Sequence, residues 1–168
     1  QLEVPFEAIE QAFKIARKQN ITTVLNPAPA IELPKSLLEL TDIIIPNETE
    51  AELLTGISIN NESDMKETAT YFLDLGISAV LITLGEQGTY CAYQEQYKMI
   101  PACNVKAIDT TAAGDTFIGA FLSELNKDLS NLESAIRLAN QASSLTVQRK
   151  GAQASIPTRK EVADFLHL

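Results

Sequence analysis

The run Asp109-Thr110-Thr111-Ala112-Ala113-Gly114-Asp115-Thr116-Phe117 places two acids around a loop of small residues that opens directly into an apolar helix. Ala112, Ala113 and Gly114 have no bulk to shield their backbone N–H groups. Unpaired amides in a first helical turn lie at the positive end of the helix dipole, so an anion belongs there. Asp115, in that same turn, can accept a proton from a hydroxyl attacking a phosphate held by those amides. Asp109 lies at the far edge of the loop. The chemistry predicted is phosphoryl transfer. A helix capped by an aspartate after a glycine turn has the same spacing, and the motif alone leaves both readings open.

Three further stretches carry residues with chemical potential. Asn47 and Glu50 stand three apart at a helix start, as in a capping box; the other reading has Asn47 holding phosphate and Glu50 orienting a magnesium-bound water. Thr83-Leu84-Gly85-Glu86-Gln87-Gly88 places two glycines after an apolar strand, where backbone can approach a nucleotide closely or simply turn. It lacks the Lys-Ser/Thr ending of a P-loop and the third glycine of a dinucleotide fingerprint. Arg149-Lys150-Gly151-Ala152-Gln153-Ala154-Ser155 follows a helix and reads either as a basic, glycine-ended C-terminus or as a loop whose carbonyls, with the Asp109 carboxylate, cage a monovalent cation. His167, the lone histidine, reads as a surface residue without a role.

Elements that position these residues follow from periodicity. Phe6, Ile9, Phe13 and Ile15 keep a helical period after Pro5. Ile21 to Leu25 is a β-branched run that Asn26-Pro27-Ala28-Pro29 stops, and 42–45 is a second buried strand after a short helix over 33–40. Asn47 caps a helix that Gly56 ends, a helix over 64–75 closes at Gly76, and 78–84 is a third strand. Thr89 to Tyr93 and Tyr97 to Pro101 form an edge hairpin around Gln94-Glu95-Gln96. Helices over 114–126, 132–147 and 158–166 complete the chain. Apolar strands separated by helices predict an α/β fold with a mostly parallel sheet covered on both faces and an antiparallel edge hairpin. In such sheets ligands sit outside the carboxyl ends of the strands, which is where each polar cluster falls.

The 168 residues, 45% of them hydrophobic, suit one domain with a real core. A net charge of −9, with 13 scattered Lys and Arg, argues against nucleic acid as a partner. No apolar run approaches the roughly 20 residues of a membrane span and no signal peptide leads the chain, so a soluble, cytoplasmic protein without a membrane partner is expected. Cys91 and Cys103 read as reduced core or edge residues, although their spacing leaves a disulfide open. Opening on Gln1-Leu2-Glu3-Val4-Pro5, the chain reads as part of a longer polypeptide.

Taken together, Asn26-Pro-Ala-Pro29, Asn47-Glu-Thr-Glu50, Leu84-Gly-Glu-Gln-Gly88, Asp109-Thr-Thr-Ala-Ala-Gly-Asp-Thr-Phe117 and Arg149-Lys-Gly-Ala-Gln153 occur in the order and spacing of the PfkB carbohydrate kinases, which the chain resembles over essentially its whole length. The first and last of these stretches point to the ribose-phosphorylating members. The resemblance implies the ribokinase-like three-layer αβα fold, present here as a partial domain spanning 1–168: the nucleotide-binding and catalytic half. It implies transfer of the γ-phosphoryl group of ATP to the 5-hydroxyl of D-ribose. Asp115 would be the base, and Ala112, Ala113 and Gly114 the anion hole. Asn47, Thr83, Leu84, Gly85, Glu86, Gln87, Gly88, Gly114, Asp115 and Asn140 would hold ATP, with Asn140 beside the adenine. Glu3 and Asp115 would meet the sugar. Asn47 and Glu50 would support Mg2+ and phosphate. K+ would be held through Asp109, Thr111, Thr146, Arg149, Gly151 and Ser155, several of them by carbonyl oxygen.

The same resemblance implies that the family's glycine-glycine sugar motif, its other sugar contacts and the lid through which it dimerises lie outside this stretch. The expectation is therefore a chain that by itself binds nucleotide weakly at best and does not turn over ribose. Its first strand, bared at one edge, would favour aggregation. A kinase for another sugar or a nucleoside (fructose, deoxyribose, adenosine) and a non-catalytic nucleotide- or sugar-sensing module are the alternative functions.

Overall fold

The computed structural model describes residues 1–165. They fall into two compact units: residues 1–84 with 90–99, and 85–89 with residues from 100 onward. The first unit holds helices α1 (Phe6–Lys18), α2 (Lys35–Leu38), α3 (Glu48–Thr55) and α4 (Glu62–Asp74), with strands β1 (Val24–Leu25), β2 (Ile43–Ile44) and β3 (Ala79–Thr83). Strands β4 (Thr89–Tyr93) and β5 (Gln96–Ile100) complete a five-stranded sheet of order β1-β2-β3-β4-β5. The second unit holds α5 (Ala113–Glu124), α6 (Leu132–Thr146) and α7 (Arg159–Phe165).

The first three strands are parallel, with Val24 opposite Ile43 and Ile43 opposite Ala79. Ala79, Val80, Leu81 and Ile82 are all fully buried, although alternate residues point to opposite faces, so β3 is covered on both sides as its continuous apolar run requires. One face packs Ile44, Val80 and Ile82 with Ala69 and Phe72 of α4, and a separate cluster joins Leu25 to Leu2, Ile9 and Leu37. Five residues separate β3 from β4 and two separate β4 from β5, far too few for a parallel crossover, so both connections are antiparallel. Gln94 and Glu95, at φ +49° and +60°, form the tight hairpin turn, one residue shorter than the spacing predicts.

The 21–25 strand expected from its β-branched run is the least accurate expectation, since only Val24 and Leu25 pair as a strand. The reason is Asp42. Its carboxylate accepts from the Thr23 amide at 2.8 Å and the Thr23 hydroxyl at 2.9 Å, and from Arg17 at 3.1 Å. The Arg17 guanidinium also reaches the Glu39 carbonyl at 2.7 Å. Thr23 is thus tied by a side chain in place of a ladder partner. The sheet resumes through Ile43 N–H to Thr23 O at 3.0 Å and Ile45 N–H to Leu25 O at 2.8 Å. Replacing Asp42 by Ala should leave the buried Thr23 amide unsatisfied and lower stability by about 1–3 kcal/mol, measurable by urea denaturation; Asp42→Asn should lose less.

In the second unit α5 packs along α6. Phe117 and Phe121, one turn apart, stack with centroids 6.3 Å apart, and the facing Ala135, Ala139 and Ala142 of α6 are buried, their small side chains allowing close approach of the two helices. The Ser143 hydroxyl donates to the Ala113 carbonyl at 2.7 Å, which fixes the start of α5 against the last turn of α6. Neither Cys91 nor Cys103 is in a disulfide. No helix among the described residues is long and apolar enough to cross a membrane. His167 and Leu166 lie outside the described residues.

Candidate active site

The Asp109-to-Asp115 loop is not an aspartate-capped helix. The N-cap of α5 is Ala112, held in the left-handed region at φ +61° with no side-chain cap, and the helix starts one residue earlier than expected, at Ala113. A non-glycine residue there costs on the order of 1 kcal/mol, which the turn holds in place through Ala113 N–H to Thr110 O at 3.2 Å and Thr116 N–H to Ala112 O at 2.9 Å. The Ala113 amide is therefore occupied by the turn. Of the amides from 112 to 115, those of Ala112, Gly114 and Asp115 have no hydrogen bond among the described residues. Asp115 is exposed, and its carboxylate makes no hydrogen bond among the described residues, while Thr116 and Phe117 behind it are buried. The base candidate is thus an open carboxylate on a rigid first turn, beside two unpaired amides.

Asp109 has the opposite character. Its Oδ1 accepts from the Thr111 amide at 3.0 Å and hydroxyl at 2.7 Å, and its Oδ2 accepts from the Gly151 amide at 2.9 Å. Those donors, Gly151 first, hold its pKa down at about 2, so the group is anionic. Gly151 reaches this position at φ +96°, and Ile108 and Asp109 donate their amides to the Val147 carbonyl at 2.7 and 3.2 Å. Asp109, Thr111 and Gly151, three of the six expected K+ residues, are thereby joined in one clasp.

The other three contribute differently. The Arg149 side chain turns to Glu161 at 2.6 Å. Thr146 and Ser155 are fully buried, their hydroxyls donating to Thr116 Oγ1 at 3.1 Å and Ala142 O at 3.2 Å, and to Ala152 O at 2.6 Å. A cation would be left with main-chain carbonyls, of which that of Thr146 already accepts the Arg149 amide at 3.0 Å and keeps one lone pair. Carbonyls of Asp109, Thr111, Arg149, Gly151 and Ser155 accept no main-chain amide among the described residues. Such a set, all oxygen with one carboxylate, fits a hard monovalent ion and not a thiolate- or imidazole-seeking metal. Among the described residues no group of three His, Cys, Asp or Glu side chains is gathered to hold a metal.

In the first unit Asn47 and Glu50 form a complete capping box. The Glu50 amide donates to Asn47 Oδ1 at 2.9 Å, the Asn47 amide to Glu50 Oε2 at 2.9 Å, and Asn47 Nδ2 to Glu50 Oε1 at 3.0 Å. Asn47 is exposed, but Glu50 is only 6% exposed, and burial pushes its carboxyl above the ordinary value. A direct Mg2+ bond would have to compete with that box, so Glu50 can serve a metal only through water. Thr83 bridges to Asn47, and its amide donates to Pro46 O at 2.9 Å, which places this strand end beside the α3 N-terminus. Leu84 is a core residue, so any part it has in nucleotide binding is through backbone. Glu3 is exposed near the chain start. Asn26, read as a ligand-side polar residue, donates to Ile45 O at 3.0 Å and so serves the sheet.

The Gly85-to-Gly88 turn and Asn140 belong to the second unit. Gly85 (φ +55°), exposed Glu86 and exposed Gln87 form a short 3-10 turn. Gly88 (φ +111°) is glycine for a reason other than ligand access: a Cβ there would collide with Ile100 O and lie 2.6 Å from Ala102 N. Asn140, 5% exposed, accepts from Thr89 Oγ1 at 2.9 Å and donates Nδ2 to Ile100 O at 3.0 Å and Pro101 O at 3.3 Å. Its amide group is spent on the carbonyls of Ile100 and Pro101 at the end of β5 and its oxygen on Thr89 at the start of β4, leaving its contact surface to meet a base. Sequence reasoning missed two residues here. Thr89 carried no signal. Glu161 did: Thr158-x-x-Glu161 is a capping-box pattern, and the box is present, with Glu161 Oε2 accepting from the Thr158 amide at 2.7 Å.

An open carboxylate beside unpaired amides at a helix start suits the handling of an anion, and comparison with known proteins identifies the family. The model of the pfkB family carbohydrate kinases matches residues 1–159. The chain belongs to that family. It is 64% identical over 162 residues to a ribokinase of Staphylococcus aureus, covering 96% of this chain and 53% of that one. The structure of Arabidopsis thaliana ribokinase complexed with ribose and ATP superposes with a TM-score of 0.93 at 33% identity, covering 100% of this chain and 55% of that one. A putative ribokinase II from E. coli in complex with ATP and Mg2+ gives 0.78 at 25% identity, with 95% and 53% covered. The chain thus spans about half the length of the relatives it matches.

Two outcomes follow for the second unit. Gly88→Ala should destabilise the chain by several kcal/mol, since backbone atoms of Ile100 to Ala102 must move, and the loss should appear in the denaturation midpoint. Asp109 and Glu161 are both held at about 2, below ordinary values of 3.8 and 4.5. Depressed carboxylate values stabilise the folded state above those ordinary values and cease to do so as pH falls through about 2. Exchange protection of the Thr111, Gly151 and Thr158 amides, followed by NMR, should hold from neutral pH down to that window and fall within it.

Proposed function

We propose that this chain supplies the nucleotide-binding and phosphoryl-transferring half of an ATP-dependent sugar kinase whose acceptor is the 5-hydroxyl of D-ribose, giving ribose 5-phosphate. The observation that carries the reading is the open Asp115 carboxylate in the same helical turn as the unpaired Gly114 and Asp115 amides, in a chain 64% identical to a ribokinase. Asp115 accepts the proton of the attacking hydroxyl as the bond from O5 to the γ-phosphorus forms. The bond from that phosphorus to the β,γ-bridging oxygen breaks, and ADP leaves with the electron pair. Because the transition state is loose, placement matters more than basicity, and an exposed carboxylate on a fixed turn suffices. Charge gathering on the transferring oxygens is met by the amides of Ala112, Gly114 and Asp115, where losing such donors costs about 10²–10³-fold in rate.

For nucleotide, the first unit offers the Asn47 side chain and the main chain of Thr83 and Leu84, and the second unit offers the main chain of Gly85 to Gly88 and the contact surface of Asn140, which would meet the adenine. Mg2+ bound with ATP supplies charge neutralisation, with Asn47 and Glu50 reaching it through water. The Asp109 carboxylate and carbonyls of Thr111, Thr146, Arg149, Gly151 and Ser155 would hold K+, which would supply positive charge to the phosphoryl-binding loop. Glu3 meets the sugar. Remaining sugar contacts, and the lid of a homodimer, belong to the half of the relatives that this chain does not span. Support for ribose as acceptor is the naming of the S. aureus relative and the ribose bound in the Arabidopsis structure.

The test joins this chain to the N-terminal half of its S. aureus relative and follows ATP consumption with ribose, fructose, deoxyribose and adenosine, with and without KCl. Ribose should be preferred and KCl should raise the rate; no ribose-dependent consumption would sink the reading. Asp115→Asn in that protein should cost at least about 10²-fold in kcat, and a loss under about tenfold would remove it as the base. The 168-residue chain alone should give no ribose-dependent ATP consumption and weak nucleotide binding at best.

A further inference from the structure

The loop from Arg149 to Thr158 carries three of the proposed cation ligands, yet among the described residues the charged side chain holding it at its far end is one that the kinase chemistry does not use. Glu161 stands in the first turn of α7 and closes on both ends of this loop. Its Oε1 accepts from the Arg149 guanidinium at 2.6 Å. Its Oε2 accepts from the Thr158 amide at 2.7 Å and the Thr158 hydroxyl at 2.8 Å. Between these anchors the chain passes through Gly151, whose amide donates to Asp109, and through the fully buried Ser155. The Arg149 amide donates to Thr146 O at 3.0 Å, so the residue gripped by Glu161 is also tied to the last residue of α6.

A loop tied at one end only is free to swing about that end. Tied at Arg149 and Thr158 by one carboxylate and at Gly151 by another, it has one geometry, and Asp109 and its Thr111 turn are held in that geometry too. We propose that Glu161 is a positioning residue for the Asp109-to-Asp115 loop: its carboxylate fixes the Arg149-to-Thr158 segment, and through Gly151 this sets where Asp109 stands. The catalytic meaning of that placement rests on the kinase reading above; the placement itself does not.

The decisive measurement is amide exchange of the 168-residue chain by NMR at neutral pH, comparing the parent with Glu161→Gln and Arg149→Gln. Glu161→Gln keeps the side-chain volume and an oxygen acceptor for Thr158 but removes the ion pair, and Arg149→Gln removes it from the other side. Both variants should speed exchange at Gly151 and Thr111 by about two- to fivefold, the range expected for a partly exposed pair, with Leu81 and Ile82 of β3 unchanged. Faster exchange confined to Thr158 and Val162 would make Glu161 a local cap of α7 and overturn the proposal. Uniform acceleration across all amides would make it a general stabiliser and overturn it equally. In the protein completed with the N-terminal half of the S. aureus relative, Glu161→Gln should raise the KCl concentration for half-maximal rate by a similar factor while kcat at saturating KCl stays within about twofold. If the completed parent consumes no ATP with ribose, the kinase reading fails, and Gly151 exchange still decides the positioning role.

Discussion

The clasp between Asp109 and the Gly151 amide is the contact on which the second unit's chemistry depends. It joins residues 42 positions apart in the chain, the loop before α5 and the turn after α6, and it leaves the Asp109 carboxylate anionic with both oxygens assigned. Everything expected of a phosphoryl-binding helix start follows from that constraint. The left-handed Ala112, the occupied Ala113 amide and the two free amides beyond it are consistent with a loop that cannot relax in either direction. Ser143, reaching from α6 to the Ala113 carbonyl, ties the same point from the other side.

Four acids near the candidate site divide by how fully they are satisfied. Glu50, Asp109 and Glu161 each accept from backbone amides and close a box or a clasp, which commits them to geometry. Of these four, Asp115 keeps its carboxylate without a hydrogen bond among the described residues. The division is physical. A carboxylate already accepting two or three hydrogen bonds has little to offer a proton in flight, whereas one without partners can approach a substrate hydroxyl at no cost to the fold. Family membership, shown over residues 1–159, names the chemistry; the hydrogen-bond census separates the acid suited to perform it from those that hold the frame.

Much of this was legible in the chain itself. The alternation of apolar runs with amphipathic helices predicted parallel strands with an edge hairpin, and β1 to β5 appear in that order. Turn chemistry predicted the Asn47 cap and the Gly56 end of α3, both of which are found. What failed was the extent of β1: propensity favoured a strand over 21–25, but a side chain from nineteen residues away, Asp42, took the Thr23 amide. The close approach of Ile100 to Ala102 that requires glycine at 88, and the bonds of Asn140 to Thr89, Ile100 and Pro101, are likewise invisible in the local pattern. In each case the missing information is a long-range partner, which no local pattern encodes.

By itself the sequence determined which residues can do chemistry and how they are grouped, because capping, helix dipoles and the small size of Ala and Gly act over a few neighbouring positions. It determined the sheet's order for the same reason: connection lengths of two to five residues permit only antiparallel pairing, and longer ones carrying a helix permit the parallel kind. Only the tertiary structure decided which acids are spent. Whether a carboxylate is free or bound depends on donors brought in from distant parts of the chain, Gly151 for Asp109 and Arg149 for Glu161, and that pairing is fixed by how helices pack rather than by what lies beside each residue.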